Sequence, residues 1–233
     1  MNNVHDNLLV IKNKIQKIAL ECERDPNTIE LIAVSKTKPV TQITEAINAG
    51  QFSFGENYVQ EGVEKIHYFK QMMPDTPLIW HFIGPLQSNK SKLVAENFDW
   101  MHTIDRFKIA QRLNDQRPAD KAKLNILIQV NISQESSKSG VAAQEVPDLV
   151  KQIITLPNLN LRGLMAIPEI DNNFDNQLYV FNKMQQLLQS LQTNYPFMDT
   201  LSMGMTGDMQ AAIVAGSTMV RIGTAIFGAR QYL

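Results

Sequence analysis

The chain has a single cysteine, Cys22, so no disulfide can form within it. A lone thiol suits a reducing compartment, and on a helix-patterned segment it reads as a small packed side chain rather than a reactive group. Lys and Arg number 22 against 23 Asp and Glu, a formal net charge of −1, and no stretch gathers the basic residues. Nucleic-acid binding is disfavoured, because a basic face supplies most such affinity. No apolar run approaches the ~18 residues of a membrane span. The start MNNVHDNLLVIKNKI lacks a basic segment followed by an apolar one, so no secretory signal is expected. The four histidines lack ligand-like spacing, which predicts no metal site. Together these absences predict a cytoplasmic protein. No linker rich in Gly, Pro or Ser interrupts the chain and no repeat is visible, so residues 1–233 read as one domain.

What is present is an alternation. Val4, Leu8, Ile11, Ile15, Ile18 and Cys22 form one helical stripe, predicting a helix over about 3–23 that covers the core or docks a partner. Eight short apolar runs follow, at 31–35, 52–54, 78–83, 100–104, 124–130, 161–167, 200–203 and 219–227, with helix-like stretches between them. Strands separated by helices pair in parallel, and eight parallel strands close a barrel filled by side chains. The length of 233 residues suits a (β/α)8 TIM barrel, typically about 250 residues as one unit. An open doubly wound sheet is the alternative.

Active sites of such barrels lie at the C-terminal ends of the strands. Lys36 follows the first strand there. A partly buried lysine near other cations has a lowered pKa, and its neutral amine attacks aldehydes; read alone, it is more readily a solvated loop lysine. Gly55 allows a sharp turn after strand two, and Asn57 offers both a donor and an acceptor. His81, inside an apolar strand, reads as a satisfied core group. Strands seven and eight run into Gly204-Met205-Thr206-Gly207-Asp208 and Arg221-Ile222-Gly223-Thr224. Glycine-rich turns at helix starts bind phosphate, which suits Thr206, Gly223 and Thr224. Asp208 would repel an anion there, and is expected to cap the following helix from its outer side. An amine opposite a phosphate cradle fits a phosphorylated aldehyde, either pyridoxal 5′-phosphate (PLP) or the sugar phosphate of an aldolase.

Seven segments carry a resemblance that runs nearly the whole chain: Ala33-Val34-Ser35-Lys36-Thr37-Lys38-Pro39; Phe54-Gly55-Glu56-Asn57-Tyr58-Val59-Gln60-Glu61; Trp80-His81-Phe82-Ile83-Gly84-Pro85-Leu86-Gln87-Ser88-Asn89-Lys90; His102-Thr103-Ile104-Asp105; Gly163-Leu164-Met165-Ala166-Ile167-Pro168; Leu201-Ser202-Met203-Gly204-Met205; and Val220-Arg221-Ile222-Gly223-Thr224-Ala225-Ile226-Phe227-Gly228. The sequence resembles the pyridoxal phosphate homeostasis protein family, whose barrel is related to the N-terminal domain of alanine racemases (PLP fold type III). The resemblance implies a PLP Schiff base on Lys36 and a phosphate held by Thr206, Gly223 and Thr224, with Ser202 near the cofactor. It places Arg221 against the pyridine nitrogen and Asn57 and Met165 along the ring. It also implies that Lys38 and Lys138 receive or release cofactor. Family members usually carry Ser where this chain has Thr206, a change that keeps the hydroxyl.

A guanidinium opposite the ring nitrogen disfavours its protonation and weakens the electron sink. Alanine racemases share that arginine but take a tyrosine base from a second domain, for which this chain is expected to have no counterpart beyond Leu233. The resemblance therefore implies a monomeric, non-catalytic protein that stores, buffers or delivers PLP, with PLP-dependent apoenzymes as recipients. A PLP-dependent amino-acid racemase or decarboxylase is the alternative.

Overall fold

The computed structural model describes residues 3–133 and 139–229. Helix α1, Val4–Glu21, opens the chain, capped by Asn3, whose side chain accepts from the Asp6 N–H. Its stripe of Val4, Leu8, Ile11, Ile15 and Ile18 is buried, and it packs against α2, α8 and α9, whose ranges follow. It thus covers this protein's own core.

The strands and helices then alternate: β1 (Glu30–Val34), α2 (Val40–Asn48), β2 (Ser53–Glu56), α3 (Val59–Met72), β3 (Ile79–Phe82), α4 (Ser91–Asn97), β4 (Trp100–Ile104), α5 (Phe107–Gln116), β5 (Leu124–Asn131), β6 (Val141–Ala142), α6 (Val146–Ile153), β7 (Leu159–Met165), α7 (Phe174–Gln192), β8 (Thr200–Ser202), α8 (Met209–Val214), β9 (Met219–Ile222) and α9 (Thr224–Phe227). All pairings among them are parallel, in the order β4-β3-β2-β1-β9-β8-β7-β5, and β4 pairs with β5. That last pairing closes an eight-stranded barrel and excludes the open sheet. β6 is a two-residue extra strand beside the end of β5, too short to leave a periodic signal.

Side chains alternate between the barrel interior and the helical layer, as the pleat requires. Ile32, Trp100, Leu127, Met165 and Met219 form an interior cluster. Their neighbours Ala33, Met101, Ile126, Leu164 and Val220 belong to the larger core that includes the helices' apolar faces. The final strand is shorter than the expected 219–227. The chain leaves the sheet at Gly223, and the Ile226 and Phe227 N–H groups turn back to the Gly223 carbonyl. A short apolar run reads alike as strand or helix end, so the pattern did not mark this break. The second strand likewise lies later than 52–54, with Phe52 exposed.

Candidate functional site

The barrel's C-terminal mouth holds a cavity of about 370 Å³ lined by Val34, Lys36, Asn57, Ile83, Ile167–Asn172, Met205–Asp208, Arg221, Gly223 and Thr224, within the range of about 300–1,000 Å³ typical of small-molecule sites. The pleat explains the choice of residues. Ile32 points inward, so Val34 and Lys36 follow inward, whereas Ser35 faces out. On β2 the outward Phe54 is followed by the outward Glu56, and Asn57 turns to the mouth. On β9 the inward Met219 sets Arg221 inward.

Six of the eight expected site residues meet here: Lys36, Asn57, Thr206, Arg221, Gly223 and Thr224. Ser202 and Met165 do not reach the lining. Met165 is packed in the interior cluster. Ser202 is buried one layer down, where its Oγ accepts from Arg221 Nη1 at 2.7 Å. Arg221 Nη2 donates to the Ala166 carbonyl at 2.9 Å. Burial pushes the Arg221 guanidinium down to about 10, which leaves it charged at neutral pH.

Behind Ser202 lies a contact that spacing could not reveal. Its Oγ is 3.0 Å from His102 Nδ1, and His102 Nε2 is 3.0 Å from His81 Nδ1. Ser202 Oγ thus accepts from Arg221 through one lone pair and also faces His102 Nδ1. Burial, reinforced by His81 and Arg221, holds His102 well below its usual 6.5, consistent with a neutral ring. His81 is buried as expected but only half satisfied: Nδ1 meets His102, whereas Nε2 has no hydrogen-bond partner and lies 3.6 Å from Glu30 Oε1. Among the described residues, no group of three or more His, Cys, Asp or Glu is placed to hold a metal ion.

Asp208 departs from expectation. It stands at the N-cap of α8 without a capping hydrogen bond, and its Oδ1 accepts instead from the Met205 N–H at 2.6 Å, closing the glycine-rich turn. Burial raises its pKa. Lys38 Nζ donates to the carbonyls of Phe227, Gly228 and Ala229, each at 3.0 Å, at the end of α9. Lys138 lies outside the described residues.

Gly84, quoted above only as part of a motif, turns out to position the site. A Cβ on it would lie 2.2 Å from the Asn57 carbonyl oxygen, so only glycine lets the β3 loop pass this close to Asn57. Asn57 Oδ1 is itself buried with no protein partner. An unsatisfied acceptor at a cavity wall is the mark of a site that receives a polar ligand. Gly207 borders the cavity with nothing within 4 Å of a built Cβ, leaving backbone open to an anion.

The fold and site define a (β/α)8 barrel whose mouth gathers an amine at the end of the first strand and glycine turns after the last two. The alanine racemase N-terminal domain family matches residues 7–231. The pyridoxal phosphate homeostasis protein of Vibrio alginolyticus is 59% identical over 232 residues, covering 100% of both chains. The chain therefore belongs to the pyridoxal phosphate homeostasis protein family, within the alanine racemase N-terminal domain class. The structure of PipY from Synechococcus elongatus, solved with PLP bound, superposes with a TM-score of 0.83 at 31% identity, over 97% of this chain and 100% of that one. Alanine racemase of Clostridium difficile shares the fold, with a TM-score of 0.69 at 15% identity over 99% of this chain and 57% of that one.

Proposed function

We propose that this protein binds PLP as a Schiff base on Lys36 and serves intracellular PLP homeostasis by storing, buffering or delivering the cofactor. The observation that carries the reading is the convergence of Lys36, Arg221 and the turns at 206–207 and 223–224 on one cavity, whose Asn57 Oδ1 lacks a protein partner. The Lys36 amine adds to the aldehyde carbon and water leaves as the C=N bond forms. Gly223 and Thr224 open a helix whose first N–H groups lack intrahelical acceptors, which suits them to the phosphate together with Thr206. Arg221 faces the ring nitrogen as a fixed cation and keeps it unprotonated. Asn57 meets the ring's polar edge. Met165 and Ser202 act from beneath, Ser202 by holding the Arg221 guanidinium. Residues 1–233 work as one binding domain, monomeric and cytoplasmic.

A non-catalytic role is supported by the homeostasis names of the full-length relatives. Among the described residues, the titratable groups lining the cavity besides Lys36 and Arg221 are the carboxyls of Glu169, Asp171 and Asp208. A guanidinium opposite the ring nitrogen disfavours its protonation and weakens the electron sink, so turnover of amino acids should be slow.

The test is direct. Purified protein given PLP should turn yellow, and borohydride should fix the cofactor on the peptide containing Lys36. Loaded protein should then restore activity to a PLP-dependent apoenzyme, measured against free PLP. No colour and no trapped peptide would refute the binding reading. Amino-acid racemisation or decarboxylation at ordinary enzymatic rates, about 1–10³ per second, would replace homeostasis with catalysis.

A further inference from the structure

The reactive lysine sits in a turn with an unfavourable backbone. The Lys38 N–H bonds to the Ser35 carbonyl at 3.0 Å, closing a four-residue turn over Ser35–Lys38. Thr37, its third residue, has φ of +62°. One positive φ at that position is the pattern of a type II turn, which normally takes glycine or asparagine there. A β-branched residue in this region is strained, and such strain persists only where the surroundings over-determine it.

What over-determines it is a buried ionic cluster on the outer side of the barrel, under α3. Lys65 and Glu61 lie one helical turn apart on α3. Glu61 Oε1 accepts from the Thr37 N–H at 2.5 Å. Lys65 Nζ donates to the Ser35 carbonyl at 2.7 Å, to Glu56 Oε1 at 2.8 Å and to Glu61 Oε1 at 2.6 Å. An ammonium has three protons, and all three are used. Ser35 Oγ donates to the same Glu56 oxygen at 2.6 Å. The Ser35 carbonyl belongs to the peptide before Lys36, and the Thr37 N–H to the peptide after it. Fixing both peptide planes fixes φ and ψ of Lys36 and therefore the direction of its side chain. The cluster never enters the cavity, and the alternation of the strand carries its effect through: Ser35 is held outward, so Lys36 faces in.

We propose that Lys65, with Glu56 and Glu61, is the positioning element for Lys36: one buried ammonium ties the ends of β1 and β2 to α3 and aims the reactive amine into the mouth. The proposal rests on the reading that Lys36 carries PLP. Stability alone is a poor reason for the cluster, since replacing a buried ion pair with apolar residues is often neutral or stabilising. Its geometry instead meets a place where the backbone must be forced, at Thr37.

The experiment separates aim from binding. Glu61→Ala removes the acceptor of the Thr37 N–H. Lys65→Met/Glu56→Gln/Glu61→Gln removes the charges without leaving a buried carboxylate unpaired, and serves if the single variant melts early. Each is given PLP, and the rate of colour formation and the yield of borohydride trapping on Lys36 are recorded. Pyridoxamine 5′-phosphate, which has no aldehyde, reports the rest of the site. The expected result is condensation slowed about tenfold or more with unchanged pyridoxamine phosphate affinity, and recovery in Glu61→Gln, which keeps an acceptor oxygen. Condensation at the wild-type rate in both variants would overturn the proposal, as would pyridoxamine phosphate binding that falls in parallel. Wild-type protein that cannot be trapped would instead sink the PLP reading itself.

Discussion

Gly84→Ala tests how the site is built. The glycine's φ is ordinary, so the cost comes from space alone. Its new Cβ would sit 2.2 Å from the Asn57 oxygen and 2.7 Å from the Asn57 Cα, whereas ordinary contact begins near 3.4 Å. The β2 and β3 loops must part by about 1 Å. Neither is free to do so: the Ile83 N–H bonds to the Glu56 carbonyl at 2.9 Å, and Thr103 Oγ1 donates to the Gly84 carbonyl at 2.6 Å. Overpacking against pinned backbone costs about 1–3 kcal/mol. At roughly 2–4 °C per kcal/mol for a chain of this size, the midpoint of thermal unfolding should fall by about 2–12 °C. Asn57 is displaced with the loop, so PLP affinity should weaken as well. Gly207→Ala is the control for melting alone, since its Cβ meets nothing within 4 Å. Melting curves on both variants and a PLP titration on Gly84→Ala decide the matter. If Gly84→Ala melts with the wild type and binds PLP equally well, the close approach does not hold Asn57 in place.

Three further outcomes are expected. Lys36→Ala should abolish the yellow colour and borohydride trapping while keeping some phosphate-dependent binding of pyridoxamine phosphate; an unchanged absorption spectrum would show that the lysine is misassigned. Lys38→Ala should lower stability by about 1 kcal/mol, because three carbonyls at the end of α9 lose their cation, and should leave trapping at Lys36 intact; lost trapping with unchanged melting would reverse that assignment. His102 titrates well below 6.5 in the fold, so below pH 6.5 the unfolded chain takes up a proton that the folded protein refuses. Stability is unaffected above that pH and is lost as pH falls through it, by about 1.4 kcal/mol between pH 7.5 and 5.5 for this one group. Denaturant unfolding of wild type and His102→Gln should show the loss only in the former.

Much of the fold was legible because helices and strands write their periods locally. The stripe of α1, the eight apolar runs and the place of Lys36 after the first strand all follow from residues near one another in the chain. Boundaries were less legible where a run served two elements, as at Ile222–Phe227. The site divided in the same way. Lys36, Asn57, Thr206, Arg221, Gly223 and Thr224 stand at strand ends and could be read as mouth residues. Met165 and Ser202 also close their strands, yet the structure sets them below the lining. Depth along the axis depends on the stagger between strands, which no single segment records.

By itself, then, the sequence determined the elements, their order and the kind of chemistry at the strand ends, since each is encoded in short-range periodicity and residue type. Only closure of the barrel decided which groups meet. Pairing β8 with β9 and β3 with β4 places Arg221 against Ser202 and His102 against His81, joining β1 to β9 brings Lys38 to the end of α9, and pairing β1 with β2 sets Lys65 under the Lys36 turn. Contacts between residues up to 219 positions apart are set by strand register and packing, and a linear pattern carries no signal for them.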